Sequence, residues 1–243
     1  MTKLYNLGCS FAYGNCVPTR NELCEEHRGP GTYVAEYLGY EEINLACNGN
    51  SSDGVLRRLY TEAFDQNGII LIGIPPAGRY QIIKSKMLDH NKRRKSKANL
   101  LGRTSKAQTC MEYAYTKGPV RTGDYFYTQK WSRSIKDDIV ETANYYVLFN
   151  ILKMQTKLRE LGIEHYIYNS VSRIGDPDNA ETQSIKQQID WSNYYRPDYS
   201  IYDIVSSNVE YELAEGDQHP NHLAYKVWSD DFCKWLEEKR KND

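Results

Sequence analysis

The chain has 243 residues, a formal net charge of −1 at pH 7 and a pI of about 6.5. This length suits one α/β domain with a substantial core, and the near-zero charge argues against general attraction to nucleic acid or to anionic membranes. From the length we predict one domain, residues 1–243. No apolar run approaches about 18 residues and no secretory leader precedes the first strand signal, so we predict that this domain lies in the cytoplasm.

Strand and helix signals alternate along the chain. Strands are predicted at Lys3–Leu7, Glu42–Ala46, Gly68–Ile74 and His165–Asn169. Helices are predicted at Thr32–Leu38, Ser52–Phe64, Asp137–Leu161 and Asn221–Lys239, with Ser51 or Ser52 as the cap of the second. This alternation predicts a mostly parallel sheet in a three-layer α/β/α sandwich. Ser10, Gly49 and Gly73 each follow a predicted strand end, where such sheets bind ligands.

The first strand runs into Gly8-Cys9-Ser10, and a serine flanked by small residues in this position is typical of an exposed nucleophile. Near the other end of the chain, Asp217 and His219 lie two positions apart and precede Pro220. Serine needs an adjacent base, and that base needs an orienting group. The pattern therefore indicates Ser10, His219 and Asp217 as a catalytic triad. The alternative is a turn serine and a histidine that caps a helix.

Three blocks, at residues 8–14 (GCSFAYG), 43–52 (INLACNGNSS) and 217–220 (DQHP), together resemble the SGNH (GDSL-type) hydrolase superfamily. The resemblance is to the branch whose first block reads GCSF, which is common in phages and environmental bacteria. It implies a flavodoxin-like α/β/α fold and a serine esterase or acylhydrolase that needs no cofactor. It also implies an oxyanion hole formed by the backbone N–H groups of Ser10 and Gly49.

The third block departs from the family pattern. The family has Gly-x-Asn-Asp there, with an asparagine that donates to the oxyanion, whereas this chain has Gly73-Ile74-Pro75-Pro76. Asn48 and Asn50 are the nearest candidates for a replacement donor or substrate contact, although ordinary turn chemistry explains them equally well. Arg79 could bind a substrate carboxylate or phosphate, or form a surface ion pair.

The segment from about residue 80 to residue 136 is predicted to form a basic insertion, or flap. Between positions 80 and 106 it contains nine Lys or Arg and one Asp. No nucleic-acid-binding motif accompanies this charge, so nucleic acid is not the expected partner. The six cysteines lack Cys-x-x-Cys pairs and regular spacing, which predicts reduced thiols and no metal site.

The partner expected from the resemblance is a small-molecule or carbohydrate ester, such as an O-acetyl sugar, and the chain could form a homo-oligomer. The competing interpretation is a weakly active or inactive SGNH-fold protein with a binding or structural role, possibly phage-encoded. The proline in the third block favours this second interpretation, whereas the presence of Ser10, His219 and Asp217 favours the enzyme.

Overall fold

A computed structural model describes residues 1–14, 28–77, 81–83, 113–115, 136–174, 179–214 and 217–242. Side chains of 81–83, 113–115, 136–142, 214, 217 and 218 are not part of this description. Arg79 and the basic segment 84–106, on which the predicted flap depends, lie outside the described residues.

Five parallel strands form the central sheet, in the order β2-β1-β3-β6-β7. These strands are β1 (Lys3–Leu7), β2 (Glu41–Asn44), β3 (Ile69–Ile74), β6 (Glu164–Asn169) and β7 (Tyr194–Ser200). Two antiparallel pairs lie outside this sheet: β4 (Gln81–Ile83) with β5 (Tyr113–Tyr115), and β8 (Glu212–Ala214) with β9 (Asp217–Pro220). The central order is that of flavodoxin-like sheets, in which ligands bind where the strand order reverses, between β1 and β3.

Helices cover both faces of this sheet. They are α1 (Ser10–Tyr13), α2 (Pro30–Leu38), α3 (Ser52–Thr61), α4 (Lys136–Leu161), α5 (Ala180–Gln188), α6 (Ile201–Ser207) and α7 (His222–Asn242). Helix α3 begins as predicted, because the Ser51 hydroxyl accepts a hydrogen bond from the Gly54 N–H at 3.3 Å. Among the described residues, no helix combines the length and apolar composition needed to cross a membrane.

Two apolar cores separate the three layers. On one face, helices α2, α6 and α7 pack on the sheet through buried side chains that include Val34, Ile204 and Trp228. On the other face, helices α3, α4 and α5 pack through side chains such as Leu59 and Ile151. A sheet that is covered on both faces needs strands that are apolar throughout, and β3 is buried at every position. The predicted three-layer α/β/α sandwich with a parallel sheet is therefore confirmed.

Strand β7 was not predicted from the sequence. Only Tyr194, Tyr195 and Ser200 are buried in it, and the polar residues and Pro197 between them interrupt the apolar pattern. Proline lacks an N–H and is tolerated in strands mainly at sheet edges, and β7 is an edge strand here. Because an edge strand needs only one hydrogen-bonded neighbour, its sequence signal is weaker than that of β3.

Candidate active site

The nucleophile turn follows β1 and depends on Gly8. This residue has φ +154°, and a Cβ there would lie 2.5 Å from the Ala12 Cβ and 2.8 Å from the Gly73 carbonyl oxygen. Only glycine fits such a close approach of two strands. Ser10 then begins helix α1, with 5% of its surface exposed. The turn thus places a largely buried serine at the carboxyl edge of the sheet.

His219 reaches this serine from the β8–β9 hairpin. Its Nε2 lies 3.1 Å from the Ser10 Oγ, which is hydrogen-bonding distance. The half-buried imidazole also lies beside the Phe11 ring, with ring centroids 5.2 Å apart. The hydroxyl and imidazole are therefore placed so that a proton can pass between them.

Asn221 anchors the histidine strand to the following helix, a role that the sequence reasoning missed. Its Oδ1 accepts hydrogen bonds from Leu223 N (3.0 Å) and Ala224 N (3.1 Å), as an N-cap does. Its Nδ2 donates to the carbonyl oxygens of Glu210 (2.6 Å) and Glu212 (3.1 Å). An asparagine directly before the first residue of a helix was the available signal. His222, the other histidine of this region, lies exposed in the first turn of α7.

Asp217 is the first residue of β9, two positions before His219, and its backbone pairs with Ala214 of β8. Its side chain lies outside the described residues. Its role in orienting His219 therefore stays a prediction.

The loop after β2 forms a tight turn that packs on the nucleophile turn. The Asn50 N–H donates to the Cys47 carbonyl at 3.1 Å, and Gly49 has φ +75° while Asn48 does not adopt a positive φ. This is the pattern of a type II turn, in which the third residue must tolerate a positive φ. Such a turn leaves the N–H of its third residue, Gly49, outside its own hydrogen bond. The role of that N–H as an oxyanion donor stays a prediction.

The two asparagines beside Gly49 differ in their surroundings. Asn50 is 4% exposed, its Nδ2 donates to the Gly8 carbonyl at 3.1 Å, and its Oδ1 accepts from the Ser51 N–H at 3.1 Å. Because both amide atoms are used within the protein, Asn50 holds the loop instead of facing a ligand. Asn48 is half-buried, and its Oδ1 is buried without a hydrogen-bond partner in the described structure. Asn48 therefore stays a candidate for substrate contact.

Strand β3 contributes differently from what the sequence suggested. Gly73 lies inside the strand and not after it, and a Cβ there would lie 2.4 Å from Ser170 Oγ and 2.6 Å from the Tyr168 hydroxyl. Gly73 therefore makes room for two side chains of β6 and its extension. Burial raises the pKa of the Tyr168 hydroxyl well above its usual value, so the group stays protonated. Pro75 follows the strand end and is buried.

A small cavity of about 20 Å³ opens near the ends of β3 and β6. Its lining is mainly apolar and includes Pro75, Ala77, Val147, Leu148 and Ile174. A cavity of this size holds roughly one water-sized group.

Within the described ranges, no group of three or more His, Cys, Asp or Glu side chains could hold a metal ion.

Comparison with solved structures gives the class of architecture. A lipase from a goat rumen metagenome has a TM-score of 0.50 to this chain, with 15% sequence identity, and the match covers 96% of this chain and 97% of the lipase. A lipase/acylhydrolase from Enterococcus faecalis has a TM-score of 0.44 at 12% identity, covering 98% of this chain and 97% of that protein. A GDSL-like lipase from Bacteroides thetaiotaomicron has a TM-score of 0.42 at 10% identity, covering 98% and 88%.

No protein-family model matches the chain, and no curated protein matches it in sequence. At these identities the similarity to the rumen lipase shows the fold. The chain has the parallel α/β/α architecture that the resemblance to the SGNH (GDSL-type) hydrolases implied.

Proposed function

We propose that this protein is a serine hydrolase that cleaves small acyl esters. The observation that carries the proposal is the 3.1 Å distance between Ser10 Oγ and His219 Nε2, at the sheet edge where the strand order reverses. A serine hydroxyl becomes an effective nucleophile when an imidazole can take its proton. The shared fold with a lipase is consistent with this chemistry.

In the proposed reaction, Ser10 Oγ attacks the ester carbonyl carbon while His219 Nε2 accepts the hydroxyl proton. The tetrahedral intermediate carries its negative charge on the former carbonyl oxygen, where the N–H groups of Ser10 and Gly49 donate hydrogen bonds. The intermediate collapses, and the alcohol leaves with the proton from His219. Water then attacks the acyl-enzyme with His219 again as the base, and Asp217 orients the imidazole throughout.

The acyl group in this proposal is short. The cavity of about 20 Å³ beside Pro75 is lined by none of Ser10, Gly49 and His219, so the acyl length in this proposal rests on the resemblance and not on that cavity. An acetyl ester, including an O-acetyl group on a carbohydrate, is an example of such a short acyl ester. A cytoplasmic location is also part of the proposal. It rests on the irregular spacing of the cysteines, which is typical of reduced thiols in a reducing compartment.

The test combines a fluorophosphonate probe with p-nitrophenyl esters of increasing acyl length. We expect the native protein to be labelled and to hydrolyse the acetate faster than the hexanoate. Ser10→Ala should abolish both reactions, and His219→Ala should slow both. Asn221→Ala should slow both reactions less than His219→Ala does, because it weakens the anchoring of His219 without removing a reacting group. Absence of labelling in folded native protein would contradict the proposal.

A binding or structural role is the second candidate, and one observation favours it. Pro75 stands where the SGNH pattern has a side-chain oxyanion donor, and it offers neither an amide side chain nor an N–H. Loss of one donor from an oxyanion hole costs about 10²–10³ in rate. A folded native protein that binds acetylated sugars with the same affinity as Ser10→Ala, but turns none of them over, would support this candidate.

A further inference from the structure

The two backbone donors of the proposed oxyanion hole belong to different loops. Ser10 lies in the turn after β1, and Gly49 lies in the turn after β2. Their N–H groups stabilise one oxygen only if the two loops keep a fixed spacing. Tolerances in such sites are about 0.5 Å, so something must hold the loops together.

The Gly8 carbonyl is the point at which the two loops are joined. It accepts one hydrogen bond from the Cys47 N–H and one from the Asn50 Nδ2, each at 3.1 Å. A carbonyl oxygen has two lone pairs, so both are used. The Asn50 bond spans 42 positions of sequence and is buried. These two bonds fix the orientation of the peptide that leads into Cys9 and Ser10.

The same side chain also fixes the turn that carries Gly49. Asn50 Oδ1 accepts from the Ser51 N–H, and the Asn50 N–H closes the turn onto the Cys47 carbonyl. A Cβ placed on Gly49 would meet no atom within 4 Å, so the space beside this glycine is open. Among the described residues, the Cα of Gly49 therefore borders open space on its Cβ side, while Asn50 is enclosed on the protein side.

From this geometry we infer that Asn50 is a positioning residue, which sets the spacing between the Ser10 and Gly49 oxyanion donors. The inference rests on the proposed hydrolase function and gives Asn50 a role different from the substrate contact expected from the sequence. Because Pro75 supplies no donor, the hole depends on these two N–H groups and tolerates little displacement of either.

Two substitutions separate the parts of this role. Asn50→Ala removes both side-chain bonds. Asn50→Asp keeps the size and the acceptor for the Ser51 N–H, but it has no N–H to donate and places a carboxylate oxygen against the Gly8 carbonyl. The matched control is Asn150→Ala, because Asn150 is 3% exposed and donates two hydrogen bonds of 2.9 Å, to Ser52 and Asp53.

The first readout is kinetic. A displacement of about 1 Å at a reacting centre costs roughly 10²-fold in rate, so both Asn50 variants should lose about that factor in kcat for p-nitrophenyl acetate and in fluorophosphonate labelling. KM should change little in both variants. Asn150→Ala should lose thermal stability but keep the native kcat.

The second readout does not depend on activity. Amide hydrogen exchange in residues 4–14 and 45–50 should accelerate in both Asn50 variants and not in Asn150→Ala, because the link between the loops is lost, whereas Asn150 bonds only Ser52 and Asp53 beyond this segment. Unchanged exchange in both segments would overturn the inference even if the native enzyme is active. Faster exchange with native kcat would also overturn it. A native protein that neither hydrolyses esters nor labels would instead refute the proposed function, and the exchange data would still show whether Asn50 joins the two loops.

Discussion

The substitution Gly73→Ala tests whether strand β3 needs a glycine at this position to leave room for the side chains of β6 and its extension. The added Cβ would lie 2.4 Å from Ser170 Oγ and 2.6 Å from the Tyr168 hydroxyl, closer than non-bonded atoms approach. Both residues are fully buried, and Tyr168 packs against Trp228 with ring centroids 4.4 Å apart, so neither moves aside easily. Overpacking of a core costs typically about 1–3 kcal/mol. For a chain of this length that corresponds to a Tm lower by roughly 2–12 °C.

The assay is thermal unfolding followed by circular dichroism, with second-site variants as controls. Ser170→Ala removes one of the two obstacles, and its own cost should be small because the Ser170 hydroxyl lacks a well-formed hydrogen bond. Tyr168→Phe removes the hydroxyl but leaves the ring Cζ, which the added Cβ would meet at 2.7 Å, so it should relieve less of the overlap. Gly73→Ala combined with either one should regain part of the lost Tm. A native Tm for Gly73→Ala, or no recovery in either double variant, would refute the steric argument.

Two further predictions concern the hairpin aspartate and a buried histidine. Asp217→Asn should lower kcat by about 10⁴-fold with little change in KM, as loss of the orienting carboxylate does in known triads; a native kcat would remove Asp217 from the proposed mechanism. Burial lowers the pKa of His165 in the folded protein below its unfolded-state value of about 6.5. As the pH drops towards and below that value, the unfolded chain binds more protons at this histidine than the folded protein does, so the free energy of unfolding falls. His165→Gln should reduce this fall between about pH 7.5 and 5.5 in urea titrations, and equal slopes in both proteins would contradict it.

Strands β1, β2, β3 and β6 could be predicted because each lies at or beside a short run of apolar or aromatic residues between turn signals, and β3 gives the clearest such run. Buried strands need apolar residues on both faces, and this requirement is visible in the sequence at Ile69–Ile74. The predicted ends of these strands lie within two residues of the observed ends, and the small differences are expected where hydrogen bonding and not composition sets the boundary.

Elements that depend on distant pairing could not be predicted. Strands β8 and β9 have three and four residues, too few for a periodic signal, and they exist because each pairs with the other. The role of Asn50 depends on a carbonyl 42 positions earlier in the chain, and nothing local marks it. For the same reason Gly73 was taken for a loop glycine, since the side chains that require it belong to β6.

The candidate site was predicted from local motifs. Each motif identifies a type of residue but does not define how far that residue lies from the other site residues. A serine in a turn after a strand and a histidine before a helix are separately common. They indicate a site because Ser10 and His219 lie close together in the fold. The distance between Ser10 Oγ and His219 Nε2 is 3.1 Å. The Asp217 contribution stays a prediction of the motif.

The 209 positions that separate Ser10 from His219 have a consequence for when activity can appear. During synthesis the nucleophile turn leaves the ribosome early, and the strands of the central sheet can pair before the hairpin of His219 exists. Contacts of such long sequence separation form late, because the chain entropy of closing the loop must be overcome first. In the proposed mechanism, ester hydrolysis therefore begins only when the last hairpin and helix α7 have docked. The onset of turnover would therefore report the moment at which the His219 hairpin reaches Ser10.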